Sequence, residues 1–328
     1  MPVDWKPMVD LVHRSKRLLL TTHVRPDPDG LGSMIALADA LEGLGKHVRM
    51  FISSVWPARY DFLDPNNRVR RFELPGDDSR DADAVIVLDT GTWNQLGDFG
   101  TFMKTLSCEK AVIDHHISQD DLGGIRFQDI ESEATGRLVY ELIQALGWKL
   151  TRSAADAIFA ALATDTGWFR HRNTTPRTFA LAEKLTAAGA DPTLLYEQIY
   201  ERSTLGRLKL MGLVLERLQS VDEGRIGYSE IRRADYAATG ATPQDTEDVI
   251  SLIRSLEGIE VALFFMEQPA GGVKVSFRSR QKVDVAKVAE RFGGGGHRLA
   301  SGAILDTSIQ DAQKQVIAAV QSALQSSL

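Results

Sequence analysis

Four short strand-like runs in the first 115 residues limit the fold more than any other feature of this chain: Leu18–Thr22, His47–Ile52, Ala84–Leu88 and Ala111–Ile113. Ala84–Leu88 reads Ala-Val-Ile-Val-Leu and is apolar on every side chain, which predicts a strand buried on both faces. Helical patterns lie between and after these runs: Leu31–Leu44 ending near Gly45, then Ala134–Leu146, Ser153–Thr164, and Pro176–Ala188 with proline in its first turn. Buried strands alternating with helices predict an α/β domain on a doubly wound, mainly parallel sheet. The polar stretches Asp64–Arg71 and Pro75–Asp83 read as loops.

The pattern changes after Gly189. Thr193–Gln219 reads as mostly helical, with breaks near Ser203 and Gly206 and no core strand. Beyond it, Arg225–Ile231, Glu260–Glu267, Gly272–Ser279 and Ser301–Leu305 are strand-like, with helices expected at Gln244–Leu256, Val283–Phe292 and Ile309–Leu324. The expected organisation is a larger domain over residues 1–190, a helical linker over 191–221, and a smaller α/β domain over 222–328.

Uninterrupted apolar runs such as Val261–Met266 are far shorter than the ~20 residues of a membrane span. Charges at Asp4, Lys6, Asp10, Arg14, Lys16 and Arg17 leave no room for a signal-peptide core. Cys108 is the one cysteine, so neither a disulfide framework nor a multi-cysteine zinc site is available. A cytoplasmic protein away from membranes is the expectation. The net charge of −6 argues against sequence-independent binding of long duplex DNA. One basic pocket interrupts the acidic chain: Lys274–Arg298 holds seven Lys or Arg against Asp284 and Glu290, around the run Gly293–Gly296.

The residues suited to chemistry sit where strands end. His23-Val-Arg-Pro-Asp27-Pro-Asp29-Gly30 follows the first strand, Asp89 ends the most apolar one, Asp114-His115-His116 ends the next, and Asp165 closes an alanine-rich helix. The plain reading of the first segment makes Asp29 a helix cap and Asp27 a turn residue. However, ligands of open α/β sheets bind outside the carboxyl ends of the strands, so the three strand termini point to one crevice, to which the helix end would have to bring Asp165. Asp27, Asp29, Asp89 and Asp165 gathered there would repel one another unless protonated or neutralised, and two divalent cations would neutralise them. Carboxylate and imidazole donors without thiolate suit Mn²⁺ best, with Mg²⁺, Co²⁺ or Zn²⁺ as alternatives. Two such ions ~3.5–4 Å apart supply a hydroxide nucleophile and a Lewis-acid clamp for phosphoryl hydrolysis.

In their order along the chain, His23-x3-Asp27-x-Asp29, Asp89, Asp114-His115-His116 and Asp165 resemble the four motifs of the DHH phosphoesterase superfamily. Phe292-Gly-Gly-Gly-Gly-His297-Arg-Leu-Ala-Ser301-Gly302 resembles the glycine-rich signature of the DHH-associated C-terminal domain. The two-domain layout, with Asp165-Thr-Gly-Trp-Phe-Arg and Asn173–Phe179, is similar to the nano-RNase and pAp-phosphatase branch. The resemblance implies hydrolysis of short oligonucleotides or of 3′-phosphoadenosine 5′-phosphate. Cyclic or linear dinucleotides are the alternative substrates, and a non-catalytic nucleotide-binding protein is the reading from another class. It implies His23, Asp27 and Asp89 around one metal, and Asp29, Asp89, His115 and Asp165 around the other, with Asp89 bridging. Asp114 would orient a neighbouring histidine, and His116 would face the scissile phosphate. Arg278 and His297, the N–H groups of Gly294, Gly295 and Gly296, and Ser301 would hold the rest of the nucleotide. A homodimer is compatible with all of this. His13, His47, His171, Cys108, Trp56, Trp93 and Trp148 read as packing or surface residues, while Trp168 and Phe169 are open to a base-stacking role.

Overall fold

The computed structural model describes residues 3–74, 79–246 and 249–325. The chain forms two compact units, Met1–Arg202 and Ser203–Leu328.

The first unit runs α1 (Lys6–Arg14), β1 (Arg17–Thr21), α2 (Pro28–Gly43), β2 (His47–Ile52), β3 (Val69–Arg71), β4 (Ala84–Leu88), α3 (Gly97–Met103), β5 (Glu109–Asp114), β6 (Ile125–Gln128), α4 (Thr135–Ala145), α5 (Arg152–Asp165), α6 (Pro176–Ala187) and α7 (Pro192–Tyr200). Its six strands are all parallel and lie in the order β3-β2-β1-β4-β5-β6. Alternate residues of β1 and β4 serve opposite faces. Leu18, Leu20, Ile86 and Leu88 pack with α1, α2, α4 and α5, whereas Leu19, Val85 and Val87 pack with α3. The expected parallel, doubly wound sheet is therefore present, and β1 and β4 flank the point where the strand order reverses.

Helix starts follow local chemistry. The Asp27 side chain accepts from the N–H groups of Asp29 and Gly30, and Pro28 opens α2. Thr151 caps α5 in the same way. Helices α2 and α5 touch closely because small residues meet. A side chain at Gly32 would lie 2.3 Å from the Ala157 carbonyl oxygen, so only glycine fits.

The second unit contains α8 (Leu205–Glu216), β7 (Gln219–Val221), β8 (Ile226–Ile231), α9 (Arg233–Thr239), α10 (Val249–Ser255), β9 (Val261–Glu267), β10 (Val273–Ser279), α11 (Val285–Glu290), β11 (Gly295–His297), β12 (Ala300–Leu305) and α12 (Ile309–Gln325). Its six-stranded sheet has the order β11-β12-β10-β9-β8-β7, with β8 and β9 parallel and the other pairs antiparallel. Helices α11 and α12 cover one face of it, and α8 and α10 pack on Ala262, Phe264 and Met266 of the other.

Several expectations need correction. The last residues of the 64–71 stretch form β3, an edge strand whose arginines hid it. Of Pro75–Asp83, residues 75–78 lie outside the described residues, and Ser79–Asp81 forms a 3-10 turn. The helix expected over 244–256 is a 3-10 turn at Pro243–Thr246 and then α10, with 247–248 outside the described residues. The segment 191–221 supplies α7 to the first unit and α8 and β7 to the second. Among the described residues no helix is long and apolar enough to cross a membrane.

Candidate metal centre

The carboxyl ends of β1, β4 and β5, the first turn of α2 and the last residue of α5 deliver seven polar side chains to one place. Asp89 follows β4 directly, in the left-handed backbone region at φ 61, which a non-glycine residue adopts only when its surroundings impose it. Its N–H is held by the Ile113 carbonyl. Its carboxylate meets three imidazoles: His23 Nε2 at 3.4 Å, His115 Nε2 at 3.6 Å and His116 Nδ1 at 3.7 Å. His23 Nε2 also lies 3.6 Å from Asp27, and His115 Nε2 lies 3.7 Å from Asp29 and 3.3 Å from Asp165. Among the described residues, three groups therefore have donor atoms close enough to share an ion: His23, Asp27 and Asp89; Asp29, His115 and Asp165; and Asp89, His115 and His116.

Ring hydrogen bonds decide which nitrogen is free. His115 Nδ1 lies 3.1 Å from the Ser132 carbonyl, which fixes its proton there, and Nε2 is then buried without a hydrogen-bond partner. An orphaned imidazole nitrogen amid carboxylates is the donor set that a divalent cation satisfies. His23 Nδ1 lies 3.0 Å from the Val24 carbonyl, again leaving Nε2 toward the acids. His116 differs, because its Nδ1 is bonded to Asp114 at 2.8 Å. That bond leaves Nε2 as its unengaged ring nitrogen.

The plain capping reading is exchanged between the two N-terminal aspartates. Asp27 caps α2, whereas Asp29 is fully buried and accepts at 2.8 Å from the N–H groups of both Thr135 and Gly136, the opening residues of α4. Thr135 also donates its hydroxyl to Asp89 at 2.9 Å. The sequence reading missed Thr135, whose only signal was its place at a helix start.

Crowded carboxylates shift one another's ionisation. Burial, with Asp89 and Asp165 nearby, pushes Asp29 well above the carboxylate range. Burial with Asp89 and Asp27 raises Asp165 to about 8. Burial works against charge on His23, yet hydrogen bonds to Asp27 and Asp89 raise it to about 10. The Asp114 hydrogen bond raises His116 to about 9. Burial leads the rise of the two aspartates, negative charge in the crevice adds to all four shifts, and a bound cation would relieve that charge.

The remaining expected residues lie in the second unit. On β10, Val273, Val275, Phe277 and Ser279 are buried and alternate with Lys274, Ser276 and Arg278 on the opposite face. Arg278 pairs with Ala300, and Ala300 with His297, so all three project from the same face across three adjacent strands. Gly295 and Gly296 belong to edge strand β11. At Gly296, φ is 144 and an added Cβ would meet the Ala300 carbonyl oxygen at 2.6 Å, so the backbone requires glycine. Two expectations are corrected here. The Gly294 N–H is taken by the Ala289 carbonyl at 2.9 Å and is not available to a phosphate. Ser301 is buried and donates its hydroxyl to the Val285 carbonyl at 2.7 Å, tying the start of α11 to β12. Trp168 and Phe169 both have positive φ and contact each other and Phe159, with Tyr196 and Tyr200 against Trp168 and Phe179 stacked on Phe169.

The model of the DHH family N-terminal domain matches residues 17–162, and that of the DHHA1 domain matches residues 226–326. The chain is 32% identical to the bifunctional oligoribonuclease and PAP phosphatase NrnA of Thermus thermophilus, over 94% of this chain and 90% of that protein. It is 29% identical to the protein of the same name from Bacillus subtilis, over 87% of this chain and 88% of that one. A crystal structure of an exopolyphosphatase-related protein from Bacteroides fragilis superposes with a TM-score of 0.90, at 22% identity, over 97% of this chain and 95% of that one, a likeness of fold. With both domain models in order and relatives matched nearly end to end, the chain belongs to the DHH family.

Proposed function

We propose that this protein is a metal-dependent phosphoesterase that hydrolyses short oligonucleotides and 3′-phosphoadenosine 5′-phosphate. The observation that carries the reading is Asp89. Strained at the strand-order switch point, it lies within reach of imidazoles from two separate ligand groups. The names of the relatives, oligoribonuclease and PAP phosphatase, support the substrate class.

His23, Asp27 and Asp89 would hold one divalent cation, and Asp29, Asp89, His115 and Asp165 the other, with Mn²⁺ favoured by the mix of oxygen and imidazole donors. Bound there, the ions supply Lewis acidity and water activation. The chain's own part is positional. Thr135 fixes Asp89, the opening turn of α4 fixes Asp29, and the Ser132 carbonyl fixes the His115 tautomer. His116, held through Nδ1 by Asp114, turns its free nitrogen to the phosphate to stabilise charge or pass a proton. In the second unit, Arg278 and His297 give the sheet face the cationic and hydrogen-bonding groups that a non-reacting nucleotide needs.

The test is incubation of the purified chain with Mn²⁺ and a panel of 3′-phosphoadenosine 5′-phosphate, dinucleotides, five-residue RNA and cyclic dinucleotides. Release of adenosine monophosphate and mononucleotides is expected. Turnover of cyclic dinucleotides alone would move the protein to the alternative substrate class. Binding of all four without hydrolysis would make it a nucleotide-binding protein.

A further inference from the structure

Gln119 has no part in the site described so far, yet its surroundings are unusual. Its Nε2 donates to Asp114 Oδ2 at 2.5 Å and to the His116 carbonyl at 3.2 Å. Reversing the amide would set oxygen against a carboxylate, so this orientation follows from the partner's chemistry. The cost falls on Oε1, which is buried with no hydrogen-bond partner. The opposite wall is Gly91. A Cβ there would lie 1.8 Å from Gln119 Oε1 and 2.2 Å from its Cδ, so glycine vacates the space that the amide fills. Residues 91 and 119 also form a parallel β-bridge, and the Asp120 N–H bonds to the Gly91 carbonyl at 2.7 Å. The amide oxygen is thus buried, and the amide nitrogen is aimed at one oxygen of Asp114. The other oxygen holds the ring and the N–H of His116, at 2.8 and 3.1 Å.

We propose that Gln119 is a positioning residue for the hydrolysis, acting on the reacting phosphate through Asp114 and His116 by locking the Asp114 carboxylate in the rotamer that orients the His116 ring. The inference rests on the role given to His116 above. It adds a third member to a chain, Gln119 to Asp114 to His116, in which the two Asp114 oxygens hold one neighbour each and leave a single His116 ring nitrogen facing outward. The glycine at position 91 belongs to the same device.

The experiment is a double-mutant cycle on the full chain loaded with Mn²⁺, using a dinucleotide and 3′-phosphoadenosine 5′-phosphate. Q119M keeps the side-chain length and removes the donor. Its kcat is expected to fall about 10- to 100-fold, with KM within about twofold and bound-metal equivalents as in wild type. H116A and H116A/Q119M are expected to share one kcat, since Gln119 has nothing to orient once the ring is gone. Wild-type kcat in Q119M overturns the inference. An equal fold-loss from Q119M in both backgrounds, or loss of metal from Q119M, overturns it too, because Gln119 would then act on the fold or the ligands. Wild-type kcat in H116A would instead remove the reading of His116 beneath it. If Q119M does not fold, Q119E fills the same volume, sets a carboxylate against Asp114, and is expected to give the same kinetic pattern.

Discussion

Replacing Gly32 by alanine tests whether the α2–α5 contact sets the geometry of the metal centre. The added Cβ would stand 2.3 Å from the Ala157 carbonyl oxygen and 3.1 Å from its carbonyl carbon. That oxygen belongs to helix backbone and cannot rotate aside, so the two helices must separate by about 1 Å to reach ordinary contact distance. Overpacking of this kind costs about 1–3 kcal/mol, or roughly 2–12 °C in Tm for a unit of this size. The catalytic loss should exceed what the stability loss suggests. Helix α2 begins at the Asp27 cap and carries Asp29, while α5 ends on Asp165, so the shift separates ligands from opposite sides of the site. A misplacement of about 1 Å is enough to lower kcat about 100-fold. The assay combines thermal unfolding, Mn²⁺ titration and turnover of a dinucleotide. G212A is the control, because nothing lies within 4 Å of a Cβ at that α8 position and the change should stabilise by up to about 1 kcal/mol. Wild-type Tm and wild-type turnover in G32A would refute the reasoning.

Three further outcomes are expected. D89A should lose turnover by on the order of 10³-fold or more and lose affinity for both cations, more completely than any other single ligand change; two tightly bound metals with appreciable turnover in this variant would contradict the bridging assignment. R278A and H297A should each raise KM for nucleotides by about tenfold while sparing a small chromogenic phosphodiester, and an equal loss on both substrates would count against a nucleotide-reading role. Glu260 accepts from the Gln281 and Lys282 N–H groups at 2.9 and 2.6 Å and from Ser279 at 3.0 Å. Burial works against its charge, but these donors hold it below its ordinary value of 4.5. Its stabilisation is therefore present above pH 4.5 and lost as pH falls through the folded value. The unfolding midpoint of E260Q should lie below wild type at pH 7 by the equivalent of about 1 kcal/mol or less after solvent screening, and the gap should close in acid. A pH-independent gap would show that the carboxylate's charge is not what matters.

The sequence makes some of this architecture legible because the relevant physics is local. A short, β-branched apolar run such as Ala84–Leu88 fits a strand buried on both faces, and an aspartate directly after it stands at a strand's carboxyl end. The ends of β1, β4 and β5 could therefore be read together as one crevice. What escaped reading depends on distant partners or on weak local preference. Strand β6 buries only Phe127 well, β11 is made of two glycines and a histidine, and α3 contains two glycines in seven residues. The burial of Asp29 comes from hydrogen bonds to Thr135 and Gly136, more than a hundred residues away, and no pattern around residue 29 announces it. Ser301 looked like a substrate contact because it follows the glycine run, but the hydrogen bond to Val285 turns it inward.

The dispersal of the proposed ligands along the chain has a consequence for biosynthesis. His23, Asp27 and Asp29 leave the ribosome early, Asp89 and His115 considerably later, and Asp165 only with the end of α5. The parallel β1–β4 pairing that brings the first of these together closes a long loop, and that closure must precede any shared coordination. In that assignment the group of His23, Asp27 and Asp89 is complete once β4 has paired with β1, whereas the group of Asp29, His115 and Asp165 waits until α5 is synthesised and packed. An ion held by both groups and by nothing in the unfolded chain would stabilise the folded unit in proportion to the logarithm of its free concentration once in excess.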